Sequence, residues 1–240
     1  MDNFDPTLIS VVMPCHNAAS YVEEAVNSVL AQSYPRVELV VVDDGSTDGS
    51  TEILQQLASA SPDRITLIYQ IRSGPFAARN AALARANGNY IAFLDADDAW
   101  HPDALRLMHD ALETVPADVA YCGWQDIGAT AANSSPNVPP DLDAGEAASH
   151  FLEDDPWPIN SVLIRRSLID ELRGFSERAP TAMDDDLWLR MLARQPRLVR
   201  VPDVLAFHRR HASGPSPIPR WRQVFDAVAV RRDFVQHHPE

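Results

Sequence analysis

Short, unbroken apolar runs alternate with amphipathic helical stretches through the first half of the chain. Residues 8–13 (LISVVM), closed by Pro14, predict a buried strand, and residues 37–42, 65–69, 90–94 and 119–124 repeat the pattern. Between them lie helices. Ser20 followed by Glu23 has the spacing of a capping box, opening a helix to about Gln32 with Val22, Ala25, Val26, Val29 and Leu30 on one face. Further helices are expected at about 51–60, 76–86 and 102–114, the last with Pro102 in its first turn. Strands apolar along their whole length, joined by helices, imply an α/β protein with a mostly parallel central sheet flanked by helices. The second half is more mixed, with a strand near 159–164, a helix near 183–194, a strand near 204–208 and a last helix over about 220–236. Residues 128–144, rich in Ala, Asn, Ser and Pro and without periodicity, are expected to form a mobile loop.

The pattern contains no repeat and no linker. One domain is therefore expected, with a first half at about 1–125, a second at about 126–212 and a terminal helical segment at about 213–240. No stretch approaches the roughly 20 apolar residues of a membrane span. The start lacks the basic and apolar regions of a signal peptide, and Cys15 and Cys122 are too few for a disulfide scaffold, so the expected compartment is the reducing cytoplasm. The end at His237–Glu240 leaves open that the sequence is part of a longer protein.

Charge narrows the function. A net charge of −14 argues against nucleic-acid partners and against broad adhesion to anionic lipid. Towards the C-terminus Arg209, Arg210, Arg220, Arg222, Arg231 and Arg232 outnumber the acids. With Trp221 and Phe225 they suit either a solvated amphipathic helix, the reading preferred, or a weak membrane-surface or phosphate-facing patch. All 20 basic residues are arginine, which excludes a Walker-type phosphate loop and Schiff-base chemistry.

The strongest chemical signal is residues 90–98 (YIAFLDADD). A buried strand runs straight into Asp95, Asp97 and Asp98, and like charges this close need a cation or donors to neutralise them. Hard oxygen ligands suit Mg²⁺ or Mn²⁺, ions that commonly share their shell with substrate phosphates. Residues 15–17 and 43–48 also fall at predicted strand ends, where open α/β sheets bind ligands. In 43–48, Asp48 suits a turn and helix cap, whereas Asp44 can accept hydrogen bonds from a nucleoside.

Four blocks, in order, resemble family 2 glycosyltransferases of the GT-A fold: residues 10–17 (SVVMPCHN), 42–48 (VDDGSTD), 74–80 with 87–98, and 174–177 with 184–190 (DDDLWLR). The resemblance spans roughly residues 8–211. It implies an inverting, metal-dependent transferase that moves a sugar from a nucleotide-diphosphate donor, UDP-linked first among them, to an acceptor hydroxyl. Asp97 is then the metal ligand, with Asp95 a second ligand or nearer the ribose, and Asp98 an orienting group. Pro14, His16 and Asp44 fall on the nucleotide side. Arg79, Arg209 and His211 are candidate phosphate partners, Arg79 serving equally as a helix-surface ion-pair partner.

The Leu187-Trp188 register places Asp184 where the family has its general base, with Asp185 as the fallback and Asp186 charging the first helical turn. The family's usual Glu is Met183 here, a departure. The acceptor falls to the second half, near residues 157–160. It could be cell-surface polysaccharide, a lipid-linked oligosaccharide or a glycoprotein, with at most peripheral membrane contact. A haloacid-dehalogenase-type phosphatase fits worse, because Ala99 stands where it has Thr or Val and its lysine is missing. A nucleotidyltransferase would want glycine in the first loop. The remaining alternative is a non-catalytic nucleotide-sugar-binding relative.

Overall fold

The structure is a computed structural model, and residues 4–128, 131, 134–153, 157–211 and 219–238 are described. In the first half β1 (Asp5–Cys15), α1 (Val22–Leu30), β2 (Val37–Asp44), α2 (Ser50–Ala60), β3 (Ile65–Gln70), α3 (Pro75–Leu83) and β4 (Gly88–Phe93) alternate as expected. There follow β5 (Ala99–Trp100), α4 (Ala104–Thr114), β6 (Val119–Ile127) and α5 (Ala144–Glu153). A 3₁₀ turn (Ile159–Ser161), β7 (Val162–Arg165), α6 (Arg166–Leu172), α7 (Met183–Leu192), β8 (Leu198–Arg209) and α8 (Arg220–His237) complete the chain.

One sheet runs through both halves in the order β3-β2-β1-β4-β7-β6-β8-β5. It is parallel from β3 to β4 and between β6 and β8, while β7 is antiparallel to both neighbours and β5 to β8. Strand side chains alternate between two cores, which is why the strand sequences carry no polar face. Ile9, Val11 and Met13 of β1 pack towards α1 and α4, and Val12 packs towards α3. Leu39 and Val41 against Val40 and Val42 do the same in β2. The chain winds outward from β1 through β3 and returns on the other side of β1 as β4. A crevice opens where the strand order reverses.

Several boundaries differ from the sequence pattern. The capping box does not form: Tyr21, not Ser20, precedes α1, without a side-chain cap, and the N–H groups of Tyr21 and Val22 donate to the Ala18 carbonyl instead. Pro102 lies outside α4, whose first residue is Ala104. The strand expected at 204–208 is the end of a longer one, extended by pairing with β6. Helices α5 and α6 and the two-residue β5 were not expected from periodicity. The segment expected to be mobile is pinned in its described part. Asn137 exchanges backbone hydrogen bonds with Trp124 (2.8 and 2.9 Å), and the Tyr121 hydroxyl bridges Pro140 and Leu142. Residues 129, 130, 132 and 133 of that segment lie outside the described residues. Among the described residues no helix is long and apolar enough to cross a membrane.

The two halves are clamped at one turn. Asn80 of α3 accepts from the Phe175 N–H (2.9 Å) and donates to its carbonyl (2.9 Å). Gly174 makes this possible, with φ of 70° and a position where a Cβ would stand 2.5 Å from Asn80 Oδ1. Gly174→Ala is therefore expected to lower unfolding stability by about 1–3 kcal/mol. Denaturant unfolding checks this, and an unchanged midpoint contradicts the clamp. Burial pushes both the Cys15 and the Cys122 thiol up to about 12. Only about one thiol in 10⁴ is then ionised at pH 8. Iodoacetamide should leave both cysteines unmodified in the folded protein and label both in guanidinium. Rapid labelling of the native chain would contradict the burial.

Candidate active site

Asp95, Asp97 and Asp98 leave the end of β4 with carboxylate oxygens within 4.8 Å of one another. Each is held by a different element. The Arg79 guanidinium on α3 donates to Asp95 Oδ1 at 2.6 Å. His211 Nε2, just beyond β8, lies 2.7 Å from Asp97 Oδ2. Asp98 is buried; it accepts from the Arg209 N–H (2.8 Å) and from Asn160 Nδ2 (2.9 Å). Burial, reinforced by the charges of Asp95 and Asp97, raises the Asp98 pKa well above the usual carboxylate range, against the pull of Arg209.

This donor set fits a hard divalent cation, because it offers carboxylate oxygens whose mutual repulsion an ion would relieve. Asp95 and Asp97 are partly open to solvent. Asp98 is buried and each of its oxygens already accepts from an internal donor.

Arg79 was expected to serve equally well as a surface ion-pair partner. It is instead 3% exposed. Its guanidinium touches Asp95 and the Met183 sulfur (3.0 Å), and lies 4.0 Å from Asp184. Burial opposes its charge, but Asp95 and Asp184 outweigh that and hold its pKa above the ordinary value.

A cleft of about 630 Å³ opens over this turn, lined by Pro14, His16, Tyr21, Asp44, Arg72, Arg79, Asp95, Asp97, Asp184 and His211 among others. Asp44 and Asp97, from different strand ends, thus face one cavity. Asp44 is buried and holds the following segment closed, accepting from Gln70 Nε2 (2.7 Å), the Ser73 N–H (2.7 Å) and the Gly74 N–H (2.9 Å). His16 Nδ1 is tethered 2.9 Å from the Asp44 carbonyl. Asp48 behaves as a turn residue, accepting from the Ala19 and Ser50 N–H groups. Asn17, at φ of 53°, accepts from the Thr47 N–H at 2.8 Å.

Arg209 is not among the residues lining this cleft. Its Nε donates to the Asp97 carbonyl (2.7 Å), its Nη2 pairs with Glu24 (2.7 Å), and the guanidinium stacks 4.8 Å over the Tyr21 ring. Sequence reasoning missed Arg72 and Tyr21. In a chain without lysine, Arg72 beside the Gly74-Pro75 break was the available signal for the first. Tyr21 carried no signal of its own.

A second cavity of about 530 Å³ adjoins the first and shares Asp95, Met183 and Asp184 with it. Trp124, Phe151, Trp157 and Trp188 give it aromatic walls, and His208, Arg210 and Arg231 a polar rim. Asp184, in the first turn of α7, therefore stands where the two cavities meet. Asp185 turns towards α8, with an oxygen 3.6 Å from Arg231, and lines only the second cavity. Asp186 does more than charge the helix end. It is buried, binds Arg190 at 2.7 Å and Arg178 at 3.5 Å, and Arg190 in turn donates to the carbonyls of Leu172 and Gly174.

Comparison with known proteins agrees with this arrangement. The model of "Glycosyl transferase family 2" matches residues 10–170. The putative teichuronic acid biosynthesis glycosyltransferase TuaG of Bacillus subtilis is 50% identical over 107 residues, 44% of this chain and 42% of that protein. The uncharacterized glycosyltransferase EpsJ of the same organism is 30% identical over 190 residues, 75% of this chain and 52% of its own length. This chain thus spans only about a third to a half of such relatives.

Among solved structures, S. aureus TarS in complex with UDP-GlcNAc superposes with a TM-score of 0.78 at 20% identity, over 95% of this chain and 66% of that one. The mannosyltransferase PcManGT of Pyrobaculum calidifontis, in complex with GDP-Man and Mn²⁺, gives 0.70 at 23% identity, over 98% and 66%. These likenesses establish a shared GT-A fold. With the matched family model covering most of the sheet and the acidic turn, this chain belongs to glycosyl transferase family 2.

Proposed function

We propose that this chain is a single inverting glycosyltransferase domain that moves a sugar from a nucleoside-diphosphate sugar, UDP-linked first, to an acceptor hydroxyl. One observation carries the reading: Asp184 stands at the junction of two cavities, one lined by the acidic turn and the other by tryptophans. A donor in the first and an acceptor in the second would present the anomeric carbon and the attacking hydroxyl to that carboxylate. The UDP-GlcNAc of TarS and the GDP-Man and Mn²⁺ of PcManGT support a nucleotide sugar and a divalent ion as the class of donor and cofactor.

The chemistry follows from the positions. The acceptor oxygen attacks the anomeric carbon from the side opposite the diphosphate. The bond to the acceptor oxygen forms as the bond to the diphosphate oxygen breaks, which inverts the centre, and Asp184 takes the hydroxyl proton. Asp97 and Asp95 would hold Mn²⁺ or Mg²⁺, which when bound supplies positive charge against the departing diphosphate. His211, through the ring nitrogen that does not face Asp97, and Arg72, both lining the same cleft, would donate to phosphate oxygens. Pro14, His16 and Asp44 shape the nucleoside end, Asp44 by holding Ser73 and Gly74 in place as well as through its remaining lone pairs.

Arg79 spans Asp95 and Asp184 and so fixes the base relative to the donor. Arg209 holds the Asp97 carbonyl through Nε and Glu24 through Nη2. The putative role of TuaG in teichuronic acid biosynthesis favours surface polysaccharide or a lipid-linked precursor as the acceptor.

Three substitutions test the assignment. Asp97→Ala should abolish Mn²⁺-dependent binding of UDP or UDP-sugar measured by calorimetry, and affinity equal to the parent's would remove the metal role. Asp184→Asn should bind donor normally but turn over roughly 10²–10⁴ more slowly, whereas Asp185→Asn should retain most activity. The reverse ranking makes Asp185 the base. Donor binding without product for any acceptor would favour a non-catalytic relative.

A further inference from the structure

We propose that α8 docks this protein onto an anionic lipid surface and so sets the mouth of the second cavity at that surface. The inner face of α8 is satisfied by the protein: Asp226 is buried and accepts from the Thr181 hydroxyl (2.7 Å), Arg231 pairs with Asp185, and Val230 and Phe234 pack on the core. The outer face, solvated as expected on sequence grounds, carries an apolar stripe among its polar residues. Trp221 is 70% exposed and Phe225 66%, and Val224, Val228 and Val235 are exposed with them. At 100° per residue, positions 221, 224, 225, 228, 232 and 235 fall within a single arc of roughly 100°.

The charge around that arc selects the occupant. The protein carries −14, yet exposed Arg232 lies within the apolar stripe and exposed Arg222 beside it. The two acids of the helix are drawn elsewhere, Asp226 inward and Asp233 to Arg178 and His237. A Trp and Phe stripe edged by arginine matches an anionic bilayer interface.

Position gives the contact a purpose. Gln223, Val224, Ala227 and Arg231 form one wall of the second cavity, and Val224 belongs to both the wall and the stripe. A helix lying in the interface would present this cavity to acceptors carried on lipid. That consequence rests on the glycosyl-transfer reading, whereas the docking itself does not.

Flotation of the full chain with vesicles tests it, using phosphatidylcholine alone and phosphatidylcholine mixed with phosphatidylglycerol. The protein should float only with the mixed vesicles and should be released by salt. Trp221→Ser with Phe225→Ser should abolish flotation, and Arg222→Gln and Arg232→Gln should each weaken partitioning about fivefold. All these variants should keep parental melting temperature and UDP affinity, none of the four residues lining either cavity. If the apolar pair destabilises the fold, the arginine variants decide the matter alone. Absence of flotation by the parent, equal flotation by all variants, or concentration-dependent dimers abolished by the same substitutions would each overturn the proposal. Flotation without any nucleotide binding would overturn the transfer reading and leave the docking intact.

Discussion

Asp95, Asp97 and Asp98 leave β4 within 4.8 Å of one another, and the cost of holding three like charges there explains the company they keep. Arg79 from α3, His211 from beyond β8, Asn160 from the 3₁₀ turn and the Arg209 backbone each take one carboxylate. Elements distant in sequence are thereby tied to one point at the reversal of the sheet. Burial, with the charges of Asp95 and Asp97 added, keeps the Asp98 pKa raised, and the proposed cation would relieve the repulsion within the turn.

The same turn couples chemistry to architecture. Arg79 and Asn80 are adjacent on α3 and act in different directions. Arg79 spans Asp95 and Asp184, while Asn80 clamps the Gly174–Phe175 turn that leads to α7. Asp186 and Arg190 brace that turn from the other side. The proposed base therefore lies 4.0 Å from a buried guanidinium that is hydrogen-bonded to the acidic turn. Geometry of this kind keeps reacting groups in register without a rearrangement during the reaction.

The parallel half of the fold was legible because strands buried on both faces leave a continuous apolar run, as in residues 8–13 and 90–94. Lengths were not, since β8 owes its first residues to pairing with β6 rather than to its own composition. Helix α6 is too short for a helical period to register, and Ala and Gly dilute the apolar face of α5. At the site, residue types and order were visible, but the burial of Arg79 and the commitment of Arg209 to Glu24 and Asp97 were not. An arginine on a helix looks the same in sequence whether it faces water or a carboxylate pair. For α8 the sequence offered Trp221 and Phe225 as a surface patch without deciding it, because periodicity locates a stripe without saying which side of the helix the protein covers.

Crystals grown with Mn²⁺ and UDP, examined for anomalous scattering at the manganese edge, test the central claim most directly. The account predicts one ion bonded to Asp97, with Asp95 beside it and the diphosphate reaching towards His211 and Arg72. An ion bound elsewhere, or a diphosphate seated in the cleft with no ion at the acidic turn, would contradict it.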